Sequence, residues 1–402
     1  MVDLSVDFLG VKFKNPIVAA AGTITQFPSN MRNCIKAGVG GVSTKSYHIN
    51  PEPGSRMSLR GHQFLDKYGR PGSMTYAVGG SRLAEEFGQL KYIDEVKPEA
   101  EKEGVILIGN IDIAEEVDVS SLVDRKALVD LAKKIEGAGA DMLEIAVGSS
   151  SIIDPAERKA KIGEVCKLLP NIMKGEVSIP MFMKFGWTDL SFLVDLLEII
   201  ENQGIQGCEF LPDINMTVLD VETGKPFLPI SVLRGRETTP ISAYGTAFAA
   251  KRSKLRLVPG GGLYNWRDIV ESIMCGATLT AVHTAPMYRG YKVFGEMLAG
   301  LRDFMERKGY QKVDDFRGVA VDLVADPREA REELYKRWKV PKELVRITVD
   351  PIKCNGCEKC LVCIQDSVTM AAGIAQIDLK SCIRCGVCES ICPTDAIAIE
   401  LK

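Results

Sequence analysis

Eight of the chain's twelve cysteines lie in one short stretch near the carboxyl terminus, and their spacing constrains the fold more than any other feature. They form two runs. The second run reads C-x2-C-x2-C-x3-C-P and consists of Cys382, Cys385, Cys388, Cys392 and Pro393. The first run repeats the opening of that pattern with Cys354, Cys357, Cys360 and Cys363. So many cysteines in so short a stretch indicate ligands or cross-links rather than core residues.

The second run is the ligand pattern of bacterial ferredoxins that hold two [4Fe–4S] clusters. This resemblance implies that the first three thiolates of each run hold one cluster and that the fourth crosses to the other. One cluster then has the ligands Cys354, Cys357, Cys360 and Cys392, and the other has Cys382, Cys385, Cys388 and Cys363. Zinc needs only one set of four and explains the paired runs poorly. Disulfides are not expected in a chain whose first residues show no secretory signal.

The first run departs from the pattern at its end. Two residues rather than three separate Cys360 from Cys363, and Ile364 stands where proline is usual. Cys363 is therefore the ligand that the pattern supports least.

Composition and charge exclude several classes of partner. The 402 residues favour two or three domains, and 46% apolar with 26% charged residues is ordinary for a globular protein. A net charge of −3 gives no basic surface for nucleic acid, and no apolar run is long enough to span a membrane. We expect a cytoplasmic protein. The remaining cysteines are expected to be small core residues; they are Cys34, Cys166, Cys208 and Cys275.

The rest of the chain alternates short apolar runs with helical patterns, after an expected hairpin around Gly10. We count eight strands: Pro16–Ala21, Gly40–Lys45, Val105–Asn110, Asp141–Val147, Pro180–Phe185, Gly207–Leu211, Arg256–Gly260 and Thr278–Thr284. This rhythm predicts an α/β fold, a (β/α)8 TIM barrel over residues 1–310. A helical connector over 311–344 and a two-cluster ferredoxin domain over 345–402 follow. A doubly wound sheet is the alternative, although no G-x-G-x-x-G follows the first strand.

In a barrel, chemistry lies at the carboxyl ends of the strands. The two longest connections, 46–79 and 212–240, both follow strands and so lie on that face. Lys45 and Lys184 end two strands, where an unpaired buried amine costs several kcal/mol. An internal salt bridge is the alternative for either lysine. Gly261, Gly262 and His283 follow the last two strands, where barrels commonly bind a phosphate. Because each cluster accepts one electron at a time, a cofactor that splits electron pairs is needed, and FMN is favoured.

At these residues the chain resembles the class 1 dihydroorotate dehydrogenases, and with its cysteine module it is similar to the FMN and iron–sulfur region of dihydropyrimidine dehydrogenases. The matching stretches are Asn15-Pro16, Ala20–Thr23, Thr44–Ser46, Asn50–Arg56, Gly139–Glu144, the strand ending in Lys184, Gly261-Gly262, Gly276-Ala277 and Gly290-Tyr291. The resemblance implies that FMN is surrounded by Ala20, Ala21, Gly22, Lys45, Lys184, Gly245, Thr246, Gly261, Gly262, His283 and Thr284. Arg56, Asn110 and Asp213 are the residues expected at the substrate.

The substrate residues of the family are mostly replaced. Family members carry Asn-x-Ser-Cys-Pro after strand 4, where this chain has Ala146 and Ser149, so Ser149, with Ser150 behind it, is the candidate acid/base. A helix-capping serine is the alternative. The asparagine loop within 62–74 and the Asn-Thr after strand 6 are also absent.

We therefore expect an FMN and iron–sulfur oxidoreductase that acts on a C=C or C=N bond of a small molecule other than uracil or thymine. An electron-transfer subunit without turnover of its own is the alternative. The resemblance also implies an FAD- and NAD(P)-containing partner subunit or a ferredoxin, and a homo-oligomer.

Overall fold

The computed structural model describes residues 2–49, 61–65, 71–77, 89–113, 117–147, 154–187, 190–212, 214–217, 219–226, 231–324 and 344–401. It divides the chain into two compact units, one ending at Val324 and one beginning at Ala325. The boundaries expected at residues 310 and 344 stay predictions, and most of the expected connector, 325–343, lies outside the described residues.

The first unit is built on eight parallel strands, and each overlaps one of the eight segments predicted from the sequence. They are β3 (Ile17–Ala19), β4 (Gly41–Ser43), β7 (Ile106–Ile113), β8 (Met142–Val147), β9 (Met181–Trp187), β10 (Gly207–Pro212), β15 (Arg256–Pro259) and β16 (Thr280–Val282). Their spatial order is β15-β10-β9-β8-β7-β4-β3-β16. Parallel bridges from Leu257 to Ala277 and from Gly260 to Ala281 join the first strand to the last. The (β/α)8 prediction is confirmed, and the doubly wound alternative is wrong.

Helices connect the strands. They are α1 (Pro28–Lys36), α2 (Gln89–Glu103), α3 (Leu122–Gly137), α4 (Pro155–Met173), α5 (Leu190–Asn202), α6 (Thr239–Arg252), α7 (Trp266–Met274), α8 (Thr284–Arg289) and α9 (Lys292–Lys308). Helix α5 buries Leu193, Leu197 and Ile200 at helical spacing, and Gly204 follows in the left-handed region. At the start of α7, the Asn265 side chain accepts the Arg267 N–H at 2.8 Å, as expected of an N-cap.

An amino-terminal hairpin packs against the barrel, as the pattern around Gly10 predicted. It consists of β1 (Val6–Phe8) and β2 (Val11–Phe13), paired antiparallel. Phe8 and Phe13 are fully buried, and the Phe8 ring lies edge-on against Phe182 with centroids 5.2 Å apart. Because Phe182 is the second residue of β9, the hairpin covers the amino-terminal end of the barrel and leaves the carboxyl end for chemistry.

The two long connections on the carboxyl face pair with each other. The first contains β5 (Gly61–Leu65) and β6 (Pro71–Ala77), and the second contains β11 (Asn215–Met216), β12 (Leu219–Asp220), β13 (Lys225–Pro226) and β14 (Ser231–Gly235). An antiparallel sheet runs β11-β14-β6-β5, with Ser231 opposite Ala77 and Gly235 opposite Ser73. Strands β12 and β13 form a separate hairpin. The connections that follow barrel strands 2 and 6 are therefore one structure.

The second unit is small and has its own core. Its strands and helix are β17 (Val345–Val349), β18 (Val368–Ala371), β19 (Ile374–Ile377), α10 (Val387–Ser390) and β20 (Ile397–Leu401). Strand β17 pairs with β20, and β18 pairs with β19. The buried residues are Cys360, Val368, Ala375 and Ile397, with other cysteines packed around them.

Candidate flavin and iron–sulfur sites

A layer of polar side chains crosses the inside of the barrel on five consecutive strands. Its members are Ser43, Asn110, Glu144, Lys184 and Glu209, contributed by β4, β7, β8, β9 and β10 in that order. The register of the parallel strands brings them together, because Asn110 pairs with Glu144 and Lys184 pairs with Glu209. Flanking residues such as Leu143, Ile145, Cys208 and Phe210 are fully buried and apolar. The sequence thus places charges where most barrels have aliphatic side chains.

Lys184 lies between two buried carboxyl groups. Its Nζ is 2.6 Å from Glu209 Oε1 and 3.1 Å from Glu144 Oε1. Glu144 is fully buried and Glu209 is 3% exposed. The second oxygen of Glu144 accepts hydrogen bonds from Asn110 Nδ2, at 2.5 Å, and from Ser43 Oγ. The salt-bridge alternative for Lys184 is therefore observed, and it does not exclude a contact between the amine and a cofactor.

The pKa values of these groups indicate that the two carboxyls share one proton. Burial, followed by the Glu144 charge, raises the pKa of Glu209 well above its ordinary value. Burial also works to raise the pKa of Glu144, but the Lys184 ammonium and the surrounding hydrogen bonds outweigh it and lower that pKa. For Lys184, burial is outweighed by the two carboxylates, which raise its pKa. The favoured state is ionised Glu144, charged Lys184 and neutral Glu209, so the network has no net charge.

Lys45 supplies a second amine near Lys184. Burial lowers the pKa of Lys45, the Asp112 carboxylate acts in the opposite direction, and the Lys184 charge lowers it further. His48 also lies here, with Nε2 at 4.0 Å from Asp112 Oδ2. Within the part of the chain that the structure describes, Lys45 has no ion pair within 4 Å. Lys45 is therefore an amine suited to pairing with an anionic ligand.

Two buried polar atoms near the carboxyl ends of the strands make no hydrogen bond within the described residues. They are Asn110 Oδ1, an acceptor, and Trp187 Nε1, a donor. Asn110 is fully buried, and Trp187 is the last residue of β9. An unsatisfied buried polar atom costs about 1–3 kcal/mol, so Asn110 Oδ1, in the polar layer inside the barrel, fits a site completed by a polar ligand.

His283 directly follows β16, and its tautomer is fixed by a hydrogen bond from the loop after β3. The Thr23 N–H donates to His283 Nε2 at 3.2 Å. Because an amide N–H can only donate, Nε2 accepts, and a neutral ring carries its proton on Nδ1. Gly22 permits this approach, since a Cβ there would lie 2.2 Å from Nε2. Gly22 thus has a packing reason to be glycine in addition to its expected flavin contact.

The loop after β15 requires both of its glycines. Gly261 and Gly262 have φ values of +85° and +82°, in the left-handed region. A Cβ on Gly262 would lie 2.3 Å from the Thr239 backbone nitrogen. Thr239 Oγ donates to the Gly262 carbonyl at 2.6 Å, and Ser242 Oγ donates to the Gly260 carbonyl at 2.7 Å. Helix α6 therefore holds this loop at the carboxyl edge, beside the loop of His283.

Other expected flavin residues have structural contacts. Gly245 lies inside α6, and a Cβ there would meet the Trp187 ring at 2.6 Å. Thr246 is fully buried and its hydroxyl donates to the Ser242 carbonyl. The Ala20 N–H donates to the Val282 carbonyl at 3.0 Å, so this backbone belongs to the barrel. Ala21 directly follows Ala20, and Thr284 is the first residue of α8. Their flavin contacts stay predictions.

Four of the expected site residues cannot be placed. Arg56, Ser149, Ser150 and Asp213 lie outside the described residues. Their roles at the substrate or in proton transfer stay predictions.

The two cysteine runs adopt the same backbone conformation despite their different spacing. Left-handed residues occupy equivalent positions: Gly356 and Arg384, Glu358 and Gly386, and Asp366 and Asp395. The fourth cysteine of each run accepts a backbone N–H from the residue four positions later. The Ser367 N–H reaches Cys363 Sγ at 3.4 Å, and the Ala396 N–H reaches Cys392 Sγ at 3.2 Å. Cys363 is thus in the same environment as Cys392, although its run lacks one residue and the proline.

The thiols fall into two groups. One group consists of Cys354, Cys357, Cys360 and Cys392. Burial raises the pKa of Cys360, and the charges of the other three thiols act in the same direction. The other group lines a small pocket and consists of Cys363, Cys382, Cys385 and Cys388. In contrast, the four cysteines outside the module are buried in the barrel unit, and burial raises their pKa values. Those four are core residues, as predicted.

Sequence reasoning missed Glu209 and the role of Glu144. Each stands alone in an apolar strand, in Cys208-Glu209-Phe210 and Leu143-Glu144-Ile145. A single carboxyl in an otherwise buried strand is the signal that could have identified both residues.

Comparison with known proteins identifies the barrel. The family model described as dihydroorotate dehydrogenase matches residues 3–305. The chain belongs to the dihydroorotate dehydrogenase family. A 4Fe-4S binding domain model matches residues 375–398.

The curated relatives have low sequence identity but match over most of their length. The chain is 24% identical over 318 residues to the "Dihydroorotate dehydrogenase B (NAD(+)), catalytic subunit" of Methanocaldococcus jannaschii. The aligned region covers 76% of this chain and 94% of the relative. The protein of the same description from Methanothermobacter thermautotrophicus is 26% identical over 330 residues, covering 79% and 99%. A solved structure, "Crystal structure of DHODH in complex with ferulenol from Eimeria tenella", has a TM-score of 0.60 at 18% identity and covers 79% of this chain and 88% of that one. It supports the fold.

The chain is therefore a flavin-dependent oxidoreductase of the type that acts on CH–CH bonds, with a 4Fe–4S ferredoxin domain. The residues fit FMN. Lys45 and Lys184 suit the part of the ring system that becomes anionic on reduction, and Asn110 Oδ1 is a buried acceptor without a partner within the described residues. Within the described residues, no helix is both long and apolar enough to cross a membrane.

Proposed function

We propose that this chain uses FMN and two [4Fe–4S] clusters to reduce an activated C=C or C=N bond, or to form one by removing two hydrogens from the CH–CH or CH–NH bond, in a small molecule other than uracil or thymine. The observation that carries the proposal is the Lys184 network inside the barrel, in a chain whose second unit carries the two cysteine runs. When bound, FMN exchanges a pair of electrons with the substrate and single electrons with the clusters.

The residues that would hold FMN come from four strands and the loops that follow them. Lys45 and Lys184 would face the ring system and stabilise negative charge on it. Gly261 and Gly262 bring backbone close to the phosphate, and His283, whose Nε2 accepts the Thr23 N–H, lies in the neighbouring loop. These assignments rest on the family and on the chemistry of the donors.

The network below the mouth keeps Lys184 charged and in place. Glu144 and Glu209 hold Nζ from two sides, and Asn110 and Ser43 fix the Glu144 carboxylate. Because Glu209 keeps its proton, the network adds no net negative charge beside the cofactor, so reduction of the cofactor is not opposed.

We propose Ser149 as the acid/base, with Ser150 behind it, and Arg56, Asn110 and Asp213 as substrate contacts. Asn110 has one side-chain group left for such a contact, since Nδ2 is used by Glu144 and Oδ1 is not used within the described residues. The sequence differences after strands 2, 4 and 6 support a substrate outside the pyrimidines that the wider family resemblance implies.

Three titrations test the substrate. The protein is purified without oxygen and mixed with dihydrouracil, dihydrothymine or dihydroorotate while flavin absorbance is followed. We expect no rapid bleaching with any of them, while dithionite bleaches the flavin fully. Rapid bleaching by dihydroorotate would assign dihydroorotate dehydrogenase activity, as in the names of the curated relatives. Rapid bleaching by dihydrouracil or dihydrothymine would assign dihydropyrimidine dehydrogenase activity. Either result would contradict the proposed substrate.

We propose that the chain works with a separate subunit that contains FAD and binds NAD(P), or with a ferredoxin, and that it forms a homo-oligomer. The relatives' description as an NAD(+)-dependent catalytic subunit supports the partner. NADH alone should not reduce the isolated chain, and rapid reduction by NADH would contradict a separate nucleotide-binding subunit.

A further inference from the structure

The two cysteine runs differ in charge at one equivalent backbone position. Gly356 in the first run and Arg384 in the second both lie two residues after the first cysteine of their run, with φ values of +67° and +63°. A Cβ on Gly356 would lie 2.9 Å from the Gly373 carbonyl oxygen, so a side chain is not accommodated there. The second run has arginine, which rarely adopts a left-handed conformation. A strained residue at a functional site suggests that its side chain is needed.

The Arg384 side chain folds back onto its own cysteine loop. Its backbone N–H donates to Cys382 Sγ at 3.3 Å, and Nη1 donates to the Cys382 carbonyl at 2.9 Å. Its Nε is buried and has no hydrogen-bond partner in the described parts of the chain. Arg384 also lines a small pocket with Cys363, Cys385 and Cys388. A buried, charged donor beside this pocket is positioned to interact with whatever fills it.

A cation close to an iron–sulfur cluster favours the reduced form, which carries one more negative charge. Hydrogen bonds to cluster sulfurs and burial both tune the reduction potential. Arg384 combines the two, since its guanidinium is always charged and its Nε–H is shielded from water. Nearby lysines such as Lys359 and Lys380 are exposed, so their charges are screened by solvent.

We infer that Arg384 raises the reduction potential of the cluster held by Cys363, Cys382, Cys385 and Cys388 above that of the other cluster. The inference rests on the proposed two-cluster function. It makes the module asymmetric: the cluster beside Arg384 is reduced first and retains the electron, and the cluster beside Gly356 is the stronger reductant.

The test is an anaerobic redox titration of the full chain with its cofactors, followed by the electron paramagnetic resonance of the reduced clusters. In Arg384→Gln we expect the step at the higher potential in the wild type to move to lower potential by a factor of ten or more in its equilibrium constant, which is 59 mV for one electron. The other step should stay within a twofold change. Arg384→Lys, which keeps a charge but not the fork of donors, should shift the same step less.

Two further variants serve as controls for this titration. Arg384→Gly suits the left-handed backbone and copies Gly356, so it must give the same downward shift even where Arg384→Gln assembles its cluster poorly. Lys380→Gln removes an equal but exposed charge close to Cys382 and should shift neither step by more than twofold. Unmoved potentials in both Arg384 variants, equal shifts of both clusters, or a shift no larger than that of Lys380→Gln would overturn the inference. About four irons per chain instead of about eight would instead refute the two-cluster proposal.

Discussion

Replacing Glu209 with glutamine tests the charge state of the network inside the barrel. Glutamine has nearly the same shape as a protonated glutamate and cannot ionise. Because burial raises the pKa of Glu209 well above the ordinary 4.5, the folded chain keeps a proton that the unfolded chain loses once the pH exceeds that value. Within this window, wild-type stability falls as pH rises, by about 1.4 kcal/mol per pH unit for one proton. Glu209→Gln has no such loss.

The size of this effect can be expressed as a melting temperature. The barrel unit spans residues 1–324. With about 2.1 cal/mol/K of unfolding entropy per residue, a unit of this length changes its free energy of unfolding by about 0.7 kcal/mol per degree. A difference of about 1.4 kcal/mol per pH unit therefore corresponds to about 2 °C per pH unit.

Differential scanning calorimetry of the holoprotein between about pH 5.5 and 7.5 provides the measurement. We expect the melting temperature of Glu209→Gln, relative to wild type, to rise by about 2 °C for each pH unit. Glu198→Gln, an exposed substitution on α5, is the matched control and should run parallel to wild type. Parallel curves for Glu209→Gln and wild type would show that Glu209 is ionised in the folded chain and would refute the shared proton.

Three further substitutions probe other parts of the account. Lys184→Met leaves two carboxyls without their cation. We therefore expect calorimetry to show a loss of about 3–5 kcal/mol in the free energy of unfolding, and gel filtration to separate flavin from the protein. Unchanged stability together with retained flavin would contradict the network's role. Gly22→Ala places a Cβ against the His283 ring and should destabilise the barrel by about 1–3 kcal/mol, whereas an unchanged melting temperature would mean that the ring moves freely. Cys363→Ala should roughly halve the iron content, while Cys275→Ala, a buried thiol of the barrel, should leave it unchanged; equal iron in both variants would remove Cys363 from the ligands.

The sequence predicts the barrel well because parallel strands are buried on both faces and appear as short apolar runs. All eight runs are strands in the structure. The polar layer could not be predicted in the same way, because Glu144 and Glu209 lie inside such apolar runs and their partners come from other strands. Only the closed barrel brings Lys184 between them.

Other features depend on contacts between distant segments. Strands β6 and β14 pair across more than 150 residues of sequence, so neither loop alone predicts the sheet. Gly22 appears in the sequence as a cofactor-binding glycine, although the His283 ring already requires it. For Cys363 the spacing argued against equivalence with Cys392, but backbone conformation and the N–H to sulfur bond match. Spacing records the number of residues, and the conformation they adopt has to be seen in the structure.

The central claim is that one flavin and two iron–sulfur clusters work together in this chain, and counting electrons tests it most directly. In an anaerobic reductive titration of the purified protein, with flavin and iron measured on the same sample, the account predicts about four electrons per chain: two for FMN and one for each cluster, with about eight irons. About three electrons with four irons, or about two electrons and no iron, would contradict it.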